Sequence, residues 1–304
     1  MRRLLLGAVI LAGCAGSAPR GGADLAWTPV DSLDARLPAS VRVFAGVSEA
    51  DTLRAWAVRL DGARLDVSVA ADTSDGREAP TMFAERTGAC VALNAGYFDM
   101  QTGGPVGLVV DGGRLRSPAF DRIERDGVAY PVARGAVGIG PDGVEIASAR
   151  DDGAQACRVE RPVGNREGAP ASVPACETWD LPEAVGAGPV LVRDGRVAVA
   201  TEAEVFFGTS IPARHPRSAV GVTGDGVVWL VVVDGRQPAS RGVTLEELAE
   251  MMHRLGAEDA LNLDGGGSSA LVVRPRGGSP VRLNLPTGYD VEREVATALL
   301  AFCD

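Results

Sequence analysis

The sequence predicts an α+β protein: one domain with a twisted, mixed β-sheet core, helices packed on it, and a parallel strand–helix–strand element at its site. Three observations carry this. Short apolar or alternating runs separated by Gly-, Asp- and Pro-rich turns recur from Leu53 to Cys303 and read as strands. One stretch instead repeats with helical spacing, at Leu245, Leu248, Ala249, Met252 and Leu255. That helix lies between two strand-like runs, Val227–Val233 and Ala260–Leu263.

The elements follow in chain order. Arg2 and Arg3 precede an apolar run, Leu4–Ala12, too short to span a bilayer as a mature helix. Leu11-Ala12-Gly13-Cys14 resembles a bacterial lipobox, so residues 1–14 are expected to be a lipoprotein signal peptide and Cys14 a lipid anchor to the membrane. An ordinary secretory signal with an incidental cysteine is the alternative. The small Ala15 favours the outer membrane, and residues 15–40 read as a tether to a domain over 41–304. Trp56, Val58 and Leu60, then Leu65, Val67 and Val69 across Asp61-Gly62, predict a β-hairpin. Pro80–Glu85 reads as a short helix, and Cys90–Leu93 as a buried strand delivering Asn94, Gly96 and Tyr97. Gly104–Gly112 reads as strand and turn, and Gly186–Gly195 partly echoes it. Gly138–Ile146 reads as a hairpin, and residues 150–178 as an insertion of little periodicity. Ala219–Val222 should pair with Val227–Val233, and Val295–Cys303 closes the chain as a strand.

Composition narrows the function. The chain has 304 residues, 46% of them hydrophobic, enough for a substantial core. Its net charge of -10, with no Lys/Arg cluster beyond the leader, points away from nucleic acid. Without any CxxC, the common thiol-redox and zinc signatures are missing. Four cysteines follow Cys14. Cys157 and Cys176 flank a polar loop that a disulfide would staple, which leaves Cys90 with Cys303; four cysteines allow three pairings, so this is a preference.

The segment from Val227 to Val273 holds the sharpest signals. The first strand ends in Asp234-Gly235. Thr244 then opens the helix as N-cap, with Glu247 completing a capping box and Gly256 at the stop. The second strand ends in Asp264-Gly265. A crossover of this kind implies parallel neighbours, whose carboxyl ends share one rim where ligands bind. In Asp264-Gly265-Gly266-Gly267-Ser268-Ser269, three glycines stabilise no core; they read either as an amide nest for phosphate oxygens or as a tight turn capped by Asp264. Arg217 is either a bidentate phosphate ligand or an ion-paired surface residue. His215 is a proton carrier or a loop residue, and Asn94 orients a sugar hydroxyl or caps a turn. Gly266–Ala270 approaches a serine nucleophile elbow, yet a strand follows where a helix is needed and no histidine follows His253.

The segments LNAGYFD, GAGPVLVRDG, HPRSAVGV, VVVDGR and NLDGGGSSALVV, in this order, resemble the phosphodiester glycosidase family over roughly 53–302. The resemblance implies a hydrolase that cleaves the glycosidic bond of a sugar-1-phosphodiester. Carried onto this chain, it lines the site with Asn94, Arg217, Asp234, Asp264, Gly265, Gly266, Gly267 and Ser268, the two aspartates being the expected catalytic residues; Gly96, within LNAGYFD, is added as an expected substrate-binding residue. No cofactor is required by it. Two histidines are too few for a transition-metal centre, although oxygen ligands suit Ca²⁺ or Mg²⁺. Two other readings stay open: a surface lipoprotein that binds glycans without cleaving them, and a metal-dependent phosphodiesterase using Asp234, Asp264 and Asn94 as ligands.

Overall fold

Three large antiparallel sheets curl around one apolar core, beside a two-stranded sheet of Arg122–Arg125 with Val128–Pro131, in the computed structural model, which describes residues 25–70, 76–173 and 175–303. The expected leader, with Cys14, lies outside the described residues. An eight-stranded sheet runs Ala26–Pro29, Val41–Ser48, Leu53–Leu60, Val228–Val233, Arg217–Val222, Asp259–Asn262, Val190–Arg193, Arg196–Val197. A seven-stranded sheet is built around Arg134–Gly140 and Gly143–Asp151. A five-stranded sheet centres on Val91–Asn94, flanked by Leu271–Val273 and Thr297–Phe302. Val58, Leu230 and Leu261 from the first sheet, Val137 and Val185 from the second, and Leu93 and Leu299 from the third meet in one buried cluster. Burying each such side chain stabilises by about 1.5–3 kcal/mol before the entropy of ordering it is charged.

The expected α+β class is therefore corrected. The protein is mostly β, and each strand pair among the described residues is antiparallel. Helix is confined, among those residues, to Asp31–Asp34, Pro80–Thr87, Leu245–Arg254 and a 3-10 turn at Gly266–Ser268. The helix Leu245–Arg254 forms as read, with the Thr244–Glu247 capping box intact in both directions. It packs Leu245, Leu248, Ala249 and Met252 on Ala219, Val231, Val233 and Ala260. It does not join neighbouring strands. Arg217–Val222 lies between Val228–Val233 and Asp259–Asn262 and pairs antiparallel with both. The apolar run at Val228–Val233 suggested a parallel sheet because such strands are buried on both faces. Here the helix covers one face and the other two sheets cover the second, so the same burial arises in an antiparallel ladder.

The hairpin across Asp61-Gly62 is corrected too. Leu53–Leu60 pairs with Val41–Ser48 and Val228–Val233, whereas Arg64–Val69 pairs with Thr297–Phe302 in another sheet. Each strand finds a longer ladder elsewhere, and the turn becomes a corner between sheets. The hairpin of Ala219–Val222 with Val228–Val233 forms as expected, as does that of Arg134–Gly140 with Gly143–Asp151. Within the stretch read as tether, Ala26–Pro29 pairs with Val41–Ser48. Within the stretch read as insertion, Ala156–Val159 and Cys176–Thr178 extend the seven-stranded sheet.

Both disulfides pair as preferred, Cys157 with Cys176 and Cys90 with Cys303. Their sequence separations are 19 and 213 residues, so the second constrains the unfolded chain more. Removing Cys90–Cys303 as the double serine variant should cost roughly 5 kcal/mol, against about 3 kcal/mol for Cys157–Cys176. Urea unfolding of the two variants measures this, and equal losses would contradict the chain-entropy account.

Candidate active site

Because Val228–Val233 and Asp259–Asn262 are each antiparallel to the strand between them, they point the same way. Asp234 and Asp264 therefore leave the sheet at one rim, with Arg217 at the start of the intervening strand. Two strand spacings, about 10 Å, separate their backbones. Their surroundings differ as well. Asp234 is buried and its Oδ1 accepts Asn284 Nδ2 at 3.2 Å, while burial raises its carboxyl above the usual range. The same Asn284 Nδ2 donates to the Ser269 carbonyl at 2.9 Å, so Asp234 braces the turn that follows Asp264. Asp264 remains partly exposed. Its Oδ1 accepts the Gly265 N–H at 2.9 Å, and burial pushes its carboxyl up to about 6 against the opposing pull of Ser268, Gly265 and Arg293.

Asn94 sits at the end of its strand with no solvent exposure. Its Nδ2 donates to the Asp264 carbonyl at 2.6 Å, and its Oδ1 accepts from Ser218 Oγ at 2.7 Å and Ala270 N at 3.1 Å. Its amide is thus occupied by protein and holds the backbone of Asp264; the turn-capping alternative matches this position. Gly96 packs equally tightly: a Cβ there would lie 2.9 Å from the Gly186 carbonyl oxygen, and its N–H donates to Thr297 Oγ1 at 3.0 Å.

Tyr97, next in the same strand exit, is the residue at this rim that the sequence reading passed over. Its hydroxyl donates to the Gly188 carbonyl at 2.7 Å and accepts from Asn262 Nδ2 at 3.2 Å. Burial, and then the negative charge of Asp264, hold the phenol protonated well above its ordinary range, while Arg134 and Arg217 oppose them. Glu204 fixes the Gly188 loop from behind, with its carboxylate accepting Gly135 N at 2.9 Å and Val190 N at 2.8 Å; burial pushes it up to about 7. Tyr97 carried a signal, since it follows Asn94 within LNAGYFD. Glu204 carried none, because nothing in TEAEVFF shows which of Glu202 and Glu204 is buried.

Arg217 does not present an open fork. It is 3% exposed; its Nε donates to the Val243 carbonyl at 3.2 Å and its Nη2 to those of Ile211 and Ala213 at 2.6 and 2.5 Å. Loop carbonyls take the Nε and Nη2 donors of this buried guanidinium, and Nη1 has no protein acceptor among the described residues. Burial lowers its pKa to about 10, leaving it cationic. The glycine turn is likewise occupied. The N–H groups of Gly265, Gly266, Ser268 and Ser269 donate to Asp264 Oδ1, Pro216 O, Gly265 O and Gly266 O. The tight-turn alternative describes it better than an amide nest. His215 bonds through Nε2 to the Ser210 carbonyl at 2.7 Å and through Nδ1 to Arg236 at 2.9 Å, which fixes the proton on Nε2 of a neutral ring. His253 bonds to the Gly195 carbonyl, not to Ser268 or Ser269. Among the described residues no three His, Cys, Asp or Glu side chains converge as a metal cluster.

If Asn94 holds the Asp264 backbone, its loss should unfold the rim. Asn94→Ala leaves a buried N–H, a hydroxyl and a carbonyl without partners, and should cost about 3 kcal/mol or more. Chemical denaturation reads this directly, and a cost below about 1 kcal/mol would show that Asn94 is not the tie.

Comparison with known proteins gives the family. The profile of the phosphodiester glycosidase family matches residues 87–302, which contain every residue named at the rim. The bovine (Bos taurus) N-acetylglucosamine-1-phosphodiester alpha-N-acetylglucosaminidase is 29% identical over 192 residues, covering 62% of this chain and 32% of its own length. This chain thus spans about a third of that relative. The catalytic domain of the zebrafish enzyme of that name, solved in a form auto-inhibited by its pro-peptide, superposes with a TM-score of 0.59 at 19% identity, covering 94% of this chain and 85% of its own. A hypothetical protein from Synechocystis superposes with a TM-score of 0.62 at 19% identity, covering 86% and 62%. At those identities the two structures speak for the fold, and the profile match speaks for the family. This chain belongs to the phosphodiester glycosidase family.

Proposed function

We propose that this protein is a hydrolase that cleaves the bond between the anomeric carbon of a sugar and the phosphate oxygen of a sugar-1-phosphodiester. The observation that supports it most is the state of Asp264: a partly exposed carboxylate at the sheet rim, held near a pKa of about 6 and next to a protonated Tyr97. Such a group is charged at neutral pH yet basic enough to accept a proton. The substrate class follows from the family and from the name of the bovine relative.

In this reading the C1–O bond breaks with both electrons going to the phosphate oxygen. The leaving group is a phosphate monoester, already acidic, so it needs little protonation. Water supplies the hydroxyl that ends on C1, and its proton passes to the Asp264 carboxylate. The same carboxylate stabilises the positive charge that develops on the sugar. Asp234 acts through Asn284 on the turn, and is a positioning residue. We place the protein at the cell envelope, anchored through Cys14. Loss of lipid labelling in Cys14→Ser is the expected result, and unchanged labelling contradicts the anchor.

The test compares the two aspartates on one sugar-1-phosphodiester. Asp264→Asn should lower kcat by about 10²–10⁴-fold with substrate affinity little changed. Asp234→Asn should mainly lower stability. Wild-type turnover in Asp264→Asn contradicts the assignment, and binding without turnover in the wild-type protein favours a glycan-binding lipoprotein. As a base Asp264 works when deprotonated, so kcat/KM should fall as pH drops below about 6 and level off above it. A profile flat from pH about 4 to 8 would remove this carboxylate from the chemistry. Hydrolysis should survive chelation; abolition by EDTA and rescue by Ca²⁺ or Mg²⁺ would move the reading to a metal-dependent phosphodiesterase.

A further inference from the structure

A sugar-1-phosphodiester carries a negative charge that must be held beside Asp264, itself an anion. The two groups the sequence offered for that charge are largely engaged within the protein: Arg217 Nε and Nη2 donate to loop carbonyls, and the Gly265 and Gly266 N–H groups to Asp264 Oδ1 and the Pro216 carbonyl. We propose that Arg236 and Arg293 form the subsite that grips the phosphodiester anion, a proposal that rests on the glycosidase reading above.

Both guanidinium groups lie on the turn that follows Asp264. A Cβ on Gly267 would fall 2.6 Å from Arg293 Nη2, and one on Gly266 would fall 3.4 Å from Arg236 Nη1. Arg293 Nη1 also reaches Ser268 Oγ at 3.4 Å, and its charge is among those acting on Asp264. This accounts for the three glycines one by one. Gly265 lets the backbone touch the Pro216 carbonyl, where a Cβ would sit 2.8 Å away; Gly266 takes φ +64; and Gly267 makes room for an arginine.

The arginines are also available. Both are exposed, and neither forms an ion pair within 4 Å among the described residues. Of the acids near Arg293 in the chain, Glu292 accepts the Thr81 N–H at 3.0 Å and Asp290 pairs with Arg282 at 2.7 Å, while Glu294 forms no ion pair with Arg293 within 4 Å. Arg236 is aimed by the neutral His215 ring, and its backbone has φ 55, a conformation that L side chains rarely adopt. Two guanidinium groups opposite one carboxylate and one phosphodiester balance the charge of the bound state. Their planar forks suit tetrahedral phosphate oxygens.

The experiment measures kcat/KM on two substrates of one sugar: the methyl phosphodiester of α-N-acetylglucosamine 1-phosphate, and the neutral 4-nitrophenyl α-N-acetylglucosaminide. In Arg236→Gln, Arg293→Gln and the double variant, the ratio of phosphodiester to neutral activity should fall by about 10- to 100-fold, the cost of losing a hydrogen bond to a charged group. In the wild-type protein, added salt should raise KM for the phosphodiester more than for the neutral glycoside, because exposed charges are screened; this needs no variant to fold. A ratio that stays constant, or KM values that respond equally to salt, overturns the proposal. If the wild-type protein hydrolyses neither substrate, the glycosidase reading fails by itself. The subsite is then read from calorimetry with α-glucose 1-phosphate: binding to wild type that is lost in the double variant upholds the arginine pair, and any other result overturns it.

Discussion

One buried side-chain amide holds the rim together. Asn94 belongs to the five-stranded sheet, Ser218 to the eight-stranded sheet, and Asp264 and Ala270 bound the loop that passes from one to the other. The Asn94 amide bonds to all three in a site without water access. An amide left unpaired in such a place costs far more than a made bond returns. The sheets are therefore fixed in relative position at the point where the chain leaves them. Asp264, Tyr97 and the glycine turn inherit their geometry from that tie, and Asn284 repeats the device on the far side by joining Asp234, Leu271 and Ser269.

Burial then sets the charges. Tyr97 and Asp264 both lose solvation, which keeps the phenol protonated and lifts the carboxyl toward neutrality. Arg217 stays cationic behind them, with Nε and Nη2 bonded to loop carbonyls, and its charge opposes the rise of the Tyr97 phenol. Glu204 receives two backbone N–H groups and holds the loop whose carbonyl takes the Tyr97 proton. Buried polar groups thus orient Asp264, while Arg236 and Arg293 around the turn are exposed to solvent.

Local signals in the sequence were legible because their physics is local. Thr244 and Glu247 satisfy helix amides within one turn, and the four-residue link Thr223–Gly226 can only close a hairpin. Loop composition favoured one of three possible cysteine pairings, and that one forms. What escaped depended on distant segments. Nothing between Val228 and Asn262 announces that Arg217–Val222 inserts between their strands, so the expected parallel neighbours give way to an antiparallel ladder. Leu53–Leu60 and Arg64–Val69 looked like a hairpin because their better partners lie far along the chain. The glycines after Asp264 read as a phosphate nest or a tight turn, and in the fold they answer to Pro216, Arg236 and Arg293, which are brought there from elsewhere in the chain. Arg217 shows the same limit, since an arginine before a strand gives no hint of being buried.

The central claim is that the bond broken lies on the sugar side of the bridging oxygen. Hydrolysis of a sugar-1-phosphodiester in ¹⁸O-water, followed by mass spectrometry of both products, reads that bond directly. The account predicts the label in the sugar's anomeric hydroxyl and unlabelled phosphate monoester. Label in the phosphate, with none in the sugar, would contradict it and assign the attack to phosphorus.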